Sequence, residues 1–489
     1  MNIKKIMLVR SGVRIPWGNF SQPLGLLYLV AVLRREFPGQ FEIDLVEQAL
    51  YDLDLGQMRK RISAFRPDVI GFSCISLEAD EMAQVACIAR ELNPDCAIIL
   101  GGPHAKFFYD HALNNSAANY AVVGEGESTF PELLRQLMAG RPVDGVKGIA
   151  FKKDGRVILT APRELIEDLD ALPFPAWDLV DFGRYSGVTS MNGYSRSKPW
   201  AVILTSRGCP FHCAYCHDIF GKRARLRSPE SVLAEIELLT GRYGVKEIHI
   251  VDDIFNIDLA RAKRICDLVV ERGIKITIAF PNALRVDMMD RELIRKLKRA
   301  GCYSITYAVE TASPRIQKLL GKNVDLEKAR QVISWTAGEG IITHGFFMIG
   351  FPGETREEME LTAKWALDSE LWLPIFFMAV VYPHTRMFEI ARETYPDFDF
   401  SKWEMRDLQY RSGESFYEKA TGVNLSGIHL GMIRRGYLKF AQAIIRLAPF
   451  PDNIFFLLGL TWWALPRVST VAGRIERLFY PRPHESSRS

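Results

Sequence analysis

Thr205-Ser206-Arg207-Gly208-Cys209-Pro210-Phe211-His212-Cys213-Ala214-Tyr215-Cys216 sets three cysteines in a C-x3-C-x2-C spacing directly after an apolar run, Ala201 to Thr205, that reads as a strand. The remaining cysteines, Cys74, Cys87, Cys96, Cys266 and Cys302, are scattered singly among apolar neighbours. Soft thiolates gathered in one loop favour iron–sulfur or zinc ligation. The N-terminus, MNIKKIMLVRSG, lacks the apolar core and cleavage site of a secretory signal and reads as a first strand, so metal ligation outranks disulfides. Three thiolates on one cubane leave one iron with an open position, and an open position implies reactivity toward a small molecule. A zinc site completed by His212 or His217 is the alternative, although zinc ligands usually come as paired C-x2-C and no second pair is present.

Outward from this loop, the chain alternates strands and helices. Downstream, strands are expected at Glu247 to Val251, Lys275 to Ala279, Ser304 to Val309, His344 to Ile349 and Phe376 to Val381. Between them fall helical patterns at Pro229 to Arg242, Asp258 to Arg272, Arg291 to Ala300, Leu326 to Gly338 and Arg356 to Asp368. Six βα units predict a partial (β/α)6 barrel whose chemistry sits at the C-terminal ends of its strands. Upstream, strands at Lys5 to Val9, Glu42 to Val46, Val69 to Ser73, Ala97 to Leu100 and Ala121 to Val123 interleave with helices at Gly25 to Arg35, Leu55 to Phe65, Glu81 to Leu92 and Thr129 to Met138. That order predicts a doubly wound, Rossmann-like parallel sheet covered on both faces. The segment 146–198 breaks the pattern with a hairpin around Asp154-Gly155 and the proline-rich Leu172 to Trp177, so it reads as a packed linker. The expected division is 1–145, 146–198, 199–400 and a helical C-terminal region 401–489.

With 489 residues, 48% hydrophobic and 25% charged, the chain is a multi-domain globular protein. A net charge of +4 without any arginine or lysine block excludes nucleic acid as the default partner. The apolar run Asn453 to Leu465 has 13 residues, too short for a span of roughly 20. Phe450, Ile454, Phe455, Phe456, Leu457, Leu458, Trp462 and Trp463 lie near Arg467, Arg474, Arg477 and Arg482. Such a set suits either a helix capping the barrel or an amphipathic surface touching a membrane or a greasy substrate.

The cysteine spacing with an aromatic before the last thiol, Cys209, Cys213, Tyr215 and Cys216, resembles the signature of the radical S-adenosylmethionine (SAM) superfamily. The resemblance implies a [4Fe–4S] cluster on Cys209, Cys213 and Cys216 with Tyr215 packed on it. It further implies SAM on the fourth iron, cleaved to methionine and a 5′-deoxyadenosyl radical that abstracts hydrogen from substrate. Asp252 and Asp253 occupy the place of the contact to the methionine ammonium, where a carboxylate is suitable. Glu310 resembles the residue that binds the ribose or methionine end. Gly345, Gly350 and Glu354 resemble the fifth-strand motif beside adenine, where glycine admits close backbone approach. Read alone, Asp252 and Asp253 could instead cap a helix, and Glu310 could be a surface carboxylate.

Ahead of the barrel, Pro23 to Leu26, Ser73-Cys74-Ile75-Ser76-Leu77, Gly101-Gly102 and Gly124-Glu125-Gly126-Glu127 look like the cobalamin-binding domain that precedes many such barrels. By that resemblance Ser73, Ser76, Leu77, Gly101, Gly102, Gly124 and Glu125 contact cobalamin at the strands' C-terminal ends. The Asp-x-His-x-x-Gly loop of other cobalamin proteins is missing; Ser11 to Trp17 stands there, and His104 reads as a loop histidine bonded to backbone. The resemblance implies a methyltransferase acting on an unactivated carbon of a small metabolite, and the apolar C-terminal set suits a lipid, isoprenoid or tetrapyrrole as that substrate. A flavodoxin- or ferredoxin-type donor and a cytoplasmic location, with peripheral membrane contact through the tail, complete the expectation. Oxidative cyclisation or rearrangement with the same cofactors, and a non-catalytic iron–sulfur or cobalamin carrier, stand as alternatives.

Overall fold

The computed structural model describes residues 1–12, 19–403, 405–408 and 414–447. The apolar segment 450–465, the arginines of the tail and Val13 to Trp17 lie outside the described residues, and with them the expected amphipathic surface. The chain divides into two compact units: residues 1–210, 218–282 and 295–303 form the first, and 211–217, 283–294 and 304 onward form the second.

In the first unit, β1 (Lys5–Arg10), β2 (Glu42–Glu47), β3 (Val69–Ser73), β4 (Ala97–Gly101) and β5 (Tyr120–Val122) run parallel in the order β2-β1-β3-β4-β5. Alternate side chains serve opposite faces, as the period of a strand requires. Met7, Val9, Ile70, Phe72, Ile98 and Leu100 pack with Met58, Ile62, Met82 and Val85 of the helices Leu55–Phe65 and Ala79–Leu92. Ile6, Leu8, Val69 and Ile99 meet Leu26, Val30, Leu133 and Leu134 of the helices Leu24–Glu36 and Gly126–Ala139. The hairpin assigned to the linker instead extends this sheet: β6 (Ile149–Lys153) pairs antiparallel with β5, and β7 (Arg156–Leu159) with β6. The sheet is therefore mixed rather than wholly parallel, because the three-residue β5 would otherwise leave its outer row of backbone groups unpaired.

The linker that follows is packed, not free. Ala176 donates to the Leu27 carbonyl, and the buried Trp177 indole donates to Glu235 at 3.0 Å. Tyr185, fully buried, donates to the Ser21 carbonyl and to Glu47.

The six strands of the partial (β/α)6 barrel follow in the expected order. The first unit holds β8 (Trp200–Ile203), a short antiparallel pair β9 (Ser206–Arg207) and β10 (Arg225–Leu226), then β11 (Glu247–Ile250) and most of β12 (Thr277–Leu284), which passes into the second unit at Ala283; β11 pairs parallel with β8 and β12. Glu247, at the N-terminal end of β11, is buried and accepts from Ser197, Thr277 and Tyr303 at 2.7, 2.9 and 2.8 Å, which is the stabilising end of such a barrel. β13 (Cys302–Glu310) passes into the second unit at Ser304, and that unit also holds β14 (Ile342–Ile349) and β15 (Leu373–Met378), with β14 parallel to both neighbours. β15 begins at Leu373 rather than Phe376 and includes Pro374, and β12 runs on through Pro281 to Leu284. Proline cannot donate to a ladder, so it is tolerated in these strands only where that donor is not needed. Helices Phe416–Thr421 and Leu425–Leu447 follow, the latter against β15, where His429 donates to the Phe376 carbonyl at 2.6 Å.

Trp177 fixes the linker through both packing and a hydrogen bond. Trp177→Ala is expected to lose about 3–5 kcal/mol of stability, read as a lower urea midpoint; an unchanged midpoint would show the linker to be loosely held.

Candidate functional site

β9 and β10 close the neck of the cysteine loop, with Arg207 opposite Arg225. Gly208 adopts φ +84, and a Cβ there would lie 2.4 Å from the Arg223 carbonyl oxygen, so only glycine lets the chain enter the loop at this point. The Cys209 amide donates to the Gly221 carbonyl across the same neck. Both arginines are buried: Arg207 reaches Glu125 at 2.9 Å and Glu127 at 2.6 Å, and Arg225 reaches Glu125 at 2.8 Å. Burial alone would push Glu125 up, but the hydrogen bonds from Arg225 and the charge of Arg207 hold its carboxyl below the usual range. Glu125, expected against cobalamin, is thus engaged by these arginines and by the Ile166 amide at 2.8 Å.

Asp252 and Asp253 follow β11 in the same unit. Asp252 is fully enclosed and accepts from the Thr205 amide at 2.6 Å, from the Thr205 hydroxyl and from the Ser206 hydroxyl at 2.7 Å. Its oxygens tie the end of β8 to that of β11, so of the two expected SAM contacts Asp252 serves the scaffold. Asp253 accepts from the Gly208 amide at 3.0 Å through Oδ2, and burial raises its pKa.

In the second unit, Ala214 donates to the Leu320 carbonyl and accepts from the Met387 amide, which brackets the loop's middle. Tyr215 donates to Glu310 at 3.0 Å, and Lys322 donates to both Glu310 at 2.8 Å and the Tyr215 hydroxyl at 3.1 Å. Glu310 sits at a register shift in β13 with φ +70, a conformation costly for a non-glycine residue and kept only where neighbours enforce it. Lys322 and Tyr215 hold its carboxylate in place. Nothing in Leu320-Gly321-Lys322-Asn323 distinguished Lys322 from a surface lysine, since its role arises from tertiary placement alone.

The fifth-strand motif also turns inward. The Gly350 and Phe351 amides donate to Glu354 Oε2 at 2.7 and 3.1 Å, while Oε1 is buried without a partner. A Cβ at Gly350 would lie 2.4 Å from Leu425 Cδ2, and one at Gly345 would lie 2.5 Å from Leu371 Cδ1, so these glycines make room for side chains of the protein.

At the C-terminal edge of the N-terminal sheet the loops gather as expected. Gly102, at φ +84, lets Gly101-Gly102 pass close to Ser73 and Cys74, where a Cβ would lie 2.9 Å from the Cys74 carbonyl oxygen. Ser76 bonds to Nδ1 of His104 at 3.1 Å, and burial lowers His104 to about 4, leaving a neutral ring enclosed in the domain. Ile75 and Leu77 project apolar side chains into solvent, and a Cβ at Gly124, φ +126, would meet nothing within 4 Å. Exposed apolar side chains and an open glycine on loops of the same sheet edge suit a large ring cofactor, so this edge fits cobalamin.

Cys209, Cys213 and Cys216 are in no disulfide and are open in part to solvent, whereas Cys74, Cys96, Cys266 and Cys302 are buried. Accessible thiols of low bulk in one glycine-entered loop fit a cluster. Among the described residues no three His, Cys, Asp or Glu side chains close around a single ion. Thiolates on one cubane ligate different irons, so they stand farther apart than the ligands of one zinc. His217, the expected zinc alternative, lies against Tyr382 with Nε2 3.3 Å from the Pro383 carbonyl oxygen. Among the described residues no helix is long and apolar enough to cross a membrane.

Comparison with known proteins accords with this geometry. Residues 203–366 match the Radical SAM superfamily and residues 10–134 match the B12 binding domain. An uncharacterized methyltransferase of Pyrococcus horikoshii is 33% identical over 398 residues, 80% of this chain and 84% of that protein. The anaerobic magnesium-protoporphyrin IX monomethyl ester cyclase of Rubrivivax gelatinosus is 28% identical, across 79% of this chain and 69% of that protein. The radical SAM methyltransferase TsrM of Kitasatospora setae, solved with tryptophan and a SAM analogue, shares the fold at a TM-score of 0.67 and 20% identity, covering 81% of this chain and 76% of that one.

Burial pushes Glu354 up to about 8. The folded protein therefore retains a proton that the unfolded chain releases in the ordinary carboxylate range, so this group's stabilising contribution is full below that range and is lost as pH rises toward 8. Glu354→Gln keeps an acceptor for Gly350 and Phe351 and removes the titration. Urea melts between about pH 5 and about pH 8 are expected to show a shallower decline for the variant than for the wild type; equal slopes would contradict the assignment.

Proposed function

The chain belongs to the cobalamin-dependent radical SAM methyltransferase family, and we propose that it methylates an unactivated carbon of a small apolar molecule. What carries this reading is a single chain in which a B12 binding domain precedes a radical SAM region opened by Cys209, Cys213 and Cys216. Its cofactors are a [4Fe–4S] cluster, SAM and cobalamin. When bound, they supply a hydrogen-abstracting radical and a methyl carrier.

The remaining work is positional. Cys209, Cys213 and Cys216 hold the cluster, and Tyr215 packs at its edge. The Asp253 carboxylate offers its free oxygen to the SAM ammonium, and Glu310, clamped by Lys322, presents a second fixed carboxylate to the cofactor's polar end. Ile75, Leu77 and Gly124 bound the cobalamin, with Ser73, Ser76, Gly101 and Gly102 shaping the adjoining loops. No nucleophilic side chain is needed; holding reactants together and excluding water is the protein's contribution.

Within the apolar class a tetrapyrrole is supported by the relative named for magnesium-protoporphyrin, and the dense apolar sequence between Phe450 and Trp463 suits the same class. That relative also favours a second reading, in which the same cofactors drive an oxidative cyclisation. A flavodoxin- or ferredoxin-type donor in the cytoplasm supplies the electron.

Turnover with SAM deuterated in its methyl group separates the readings. Label in the product is expected, and confirmed turnover without label would favour cyclisation instead. Alanine at Cys209, Cys213 and Cys216 is expected to abolish four-iron content and the SAM-dependent change in the reduced protein's electron paramagnetic resonance; a retained cluster would overturn the ligand assignment.

A further inference from the structure

The cysteine loop is held on both flanks by loops of the N-terminal sheet. On the upstream flank, Arg207 stands two residues before Cys209 and is bound by Glu125 and Glu127, with Tyr28 and Phe220 rings 5.1 and 5.3 Å from its guanidinium. Its cross-strand neighbour Arg225 shares Glu125 and also donates to the Ile166 and Phe220 carbonyls at 2.5 and 2.7 Å. On the downstream flank, the Asp218 and Ile219 carbonyls, two and three residues after Cys216, accept from Lys106 Nζ, the latter at 2.8 Å.

These anchors come from specific places. Glu125 directly follows Gly124 at the end of β5's loop, and Lys106 stands on the helix Gly102–Phe107 that β4 feeds. Both loops lie at the sheet edge that fits cobalamin, so the groups that would be ordered by that cofactor are covalent neighbours of the groups that grip the cysteine loop. The grip is discrete rather than elastic. The Glu125 and Arg207 side chains are 3% and 4% exposed, and an ion pair that deeply buried is strongly destabilised when one partner withdraws.

We propose that Glu125, Arg207 and Lys106 are positioning residues that make cobalamin binding and cluster assembly depend on each other. Linkage is reciprocal: if an ordered cysteine loop strengthens cobalamin binding, bound cobalamin strengthens the loop's hold on its cluster by the same factor.

The test is equilibrium binding of hydroxocobalamin to the full chain, followed by absorbance, with and without anaerobic cluster reconstitution. Wild-type protein is expected to bind at least about fivefold tighter when the cluster is present. In Glu125→Gln and Lys106→Met the ratio is expected to fall toward one. Arg207→Lys, which keeps the charge but loses the fork that spans two carboxylates, is expected to fall between them and the wild type. Far-ultraviolet circular dichroism and melting identify any variant that fails to fold; Lys106→Met, which removes an anchor at the edge of the network and keeps its apolar stem, carries the test in that event. Equal affinity in the two wild-type forms overturns the coupling and leaves the two-cofactor assignment standing. Undiminished coupling in the folded variants overturns the assignment to these residues, and a chain that takes up no cobalamin in either form overturns both.

Discussion

A reactive cluster with an open iron demands that a short, glycine-entered loop be held in one shape, and here that demand is met by charge buried where charge is expensive. Glu125 accepts from Arg207, Arg225 and the Ile166 amide inside the first unit. Removing such groups from water costs several kcal/mol per ion, so pairs of this kind contribute little net stability compared with well-packed apolar residues. What they give is discrimination. Any arrangement of the neck of the loop other than the one observed strands at least one ion, whereas an apolar neck could slide with small loss.

The same logic recurs at each place where a strand hands over to the chemistry. Asp252 ties the end of β8 to the end of β11 through Thr205 and Ser206. Glu354 closes the turn after β14 through Gly350 and Phe351. Lys322 pairs with the carboxylate of Glu310, whose backbone stands at φ +70. Three carboxylates near the strand ends thus act on the protein's own backbone or side chains, and the geometry of the loops depends on them. Barrel strands make rigid platforms, but the loops beyond them have no ladder to define them and need polar side chains to do so.

This explains what the sequence could and could not reveal. The cysteine motif is local: spacing, ligand chemistry and the preceding strand all lie between Ala201 and Cys216, and no tertiary knowledge is needed to read them. The alternation of strands and helices is equally local, and the helix Leu55–Phe65 and strand Val69–Ser73 fall where periodicity places them. The hairpin of β6 and β7 was legible as a hairpin but not as part of the sheet, because its partner β5 has only three residues and lies far back in the sequence, before the whole helix Gly126–Ala139. β12 and β15 run through Pro281 and Pro374 and differ in their bounds from those expected, since sequence does not state which backbone donors a strand will need. Lys322 and Arg207 carried no signal beyond their charge.

The acidic residues show the limit most clearly. Asp252, Asp253, Glu125, Glu310 and Glu354 all stand at strand ends, where either a cofactor or a loop can use a carboxylate, and their position in the sequence is the same under both uses. The distinction lies in the oxygens. Asp252 has both engaged by its own unit, and Glu354 has one engaged by two amides and the other sealed from water. Asp253 has one oxygen tied to Gly208 while it remains at the rim of the loop. A carboxylate whose partners are all fixed by the fold cannot also meet a cationic ligand without breaking a buried bond. Asp253, bonded through Oδ2 alone, and Glu310, bonded through Oε1 alone, therefore each keep an oxygen suited to an ammonium group.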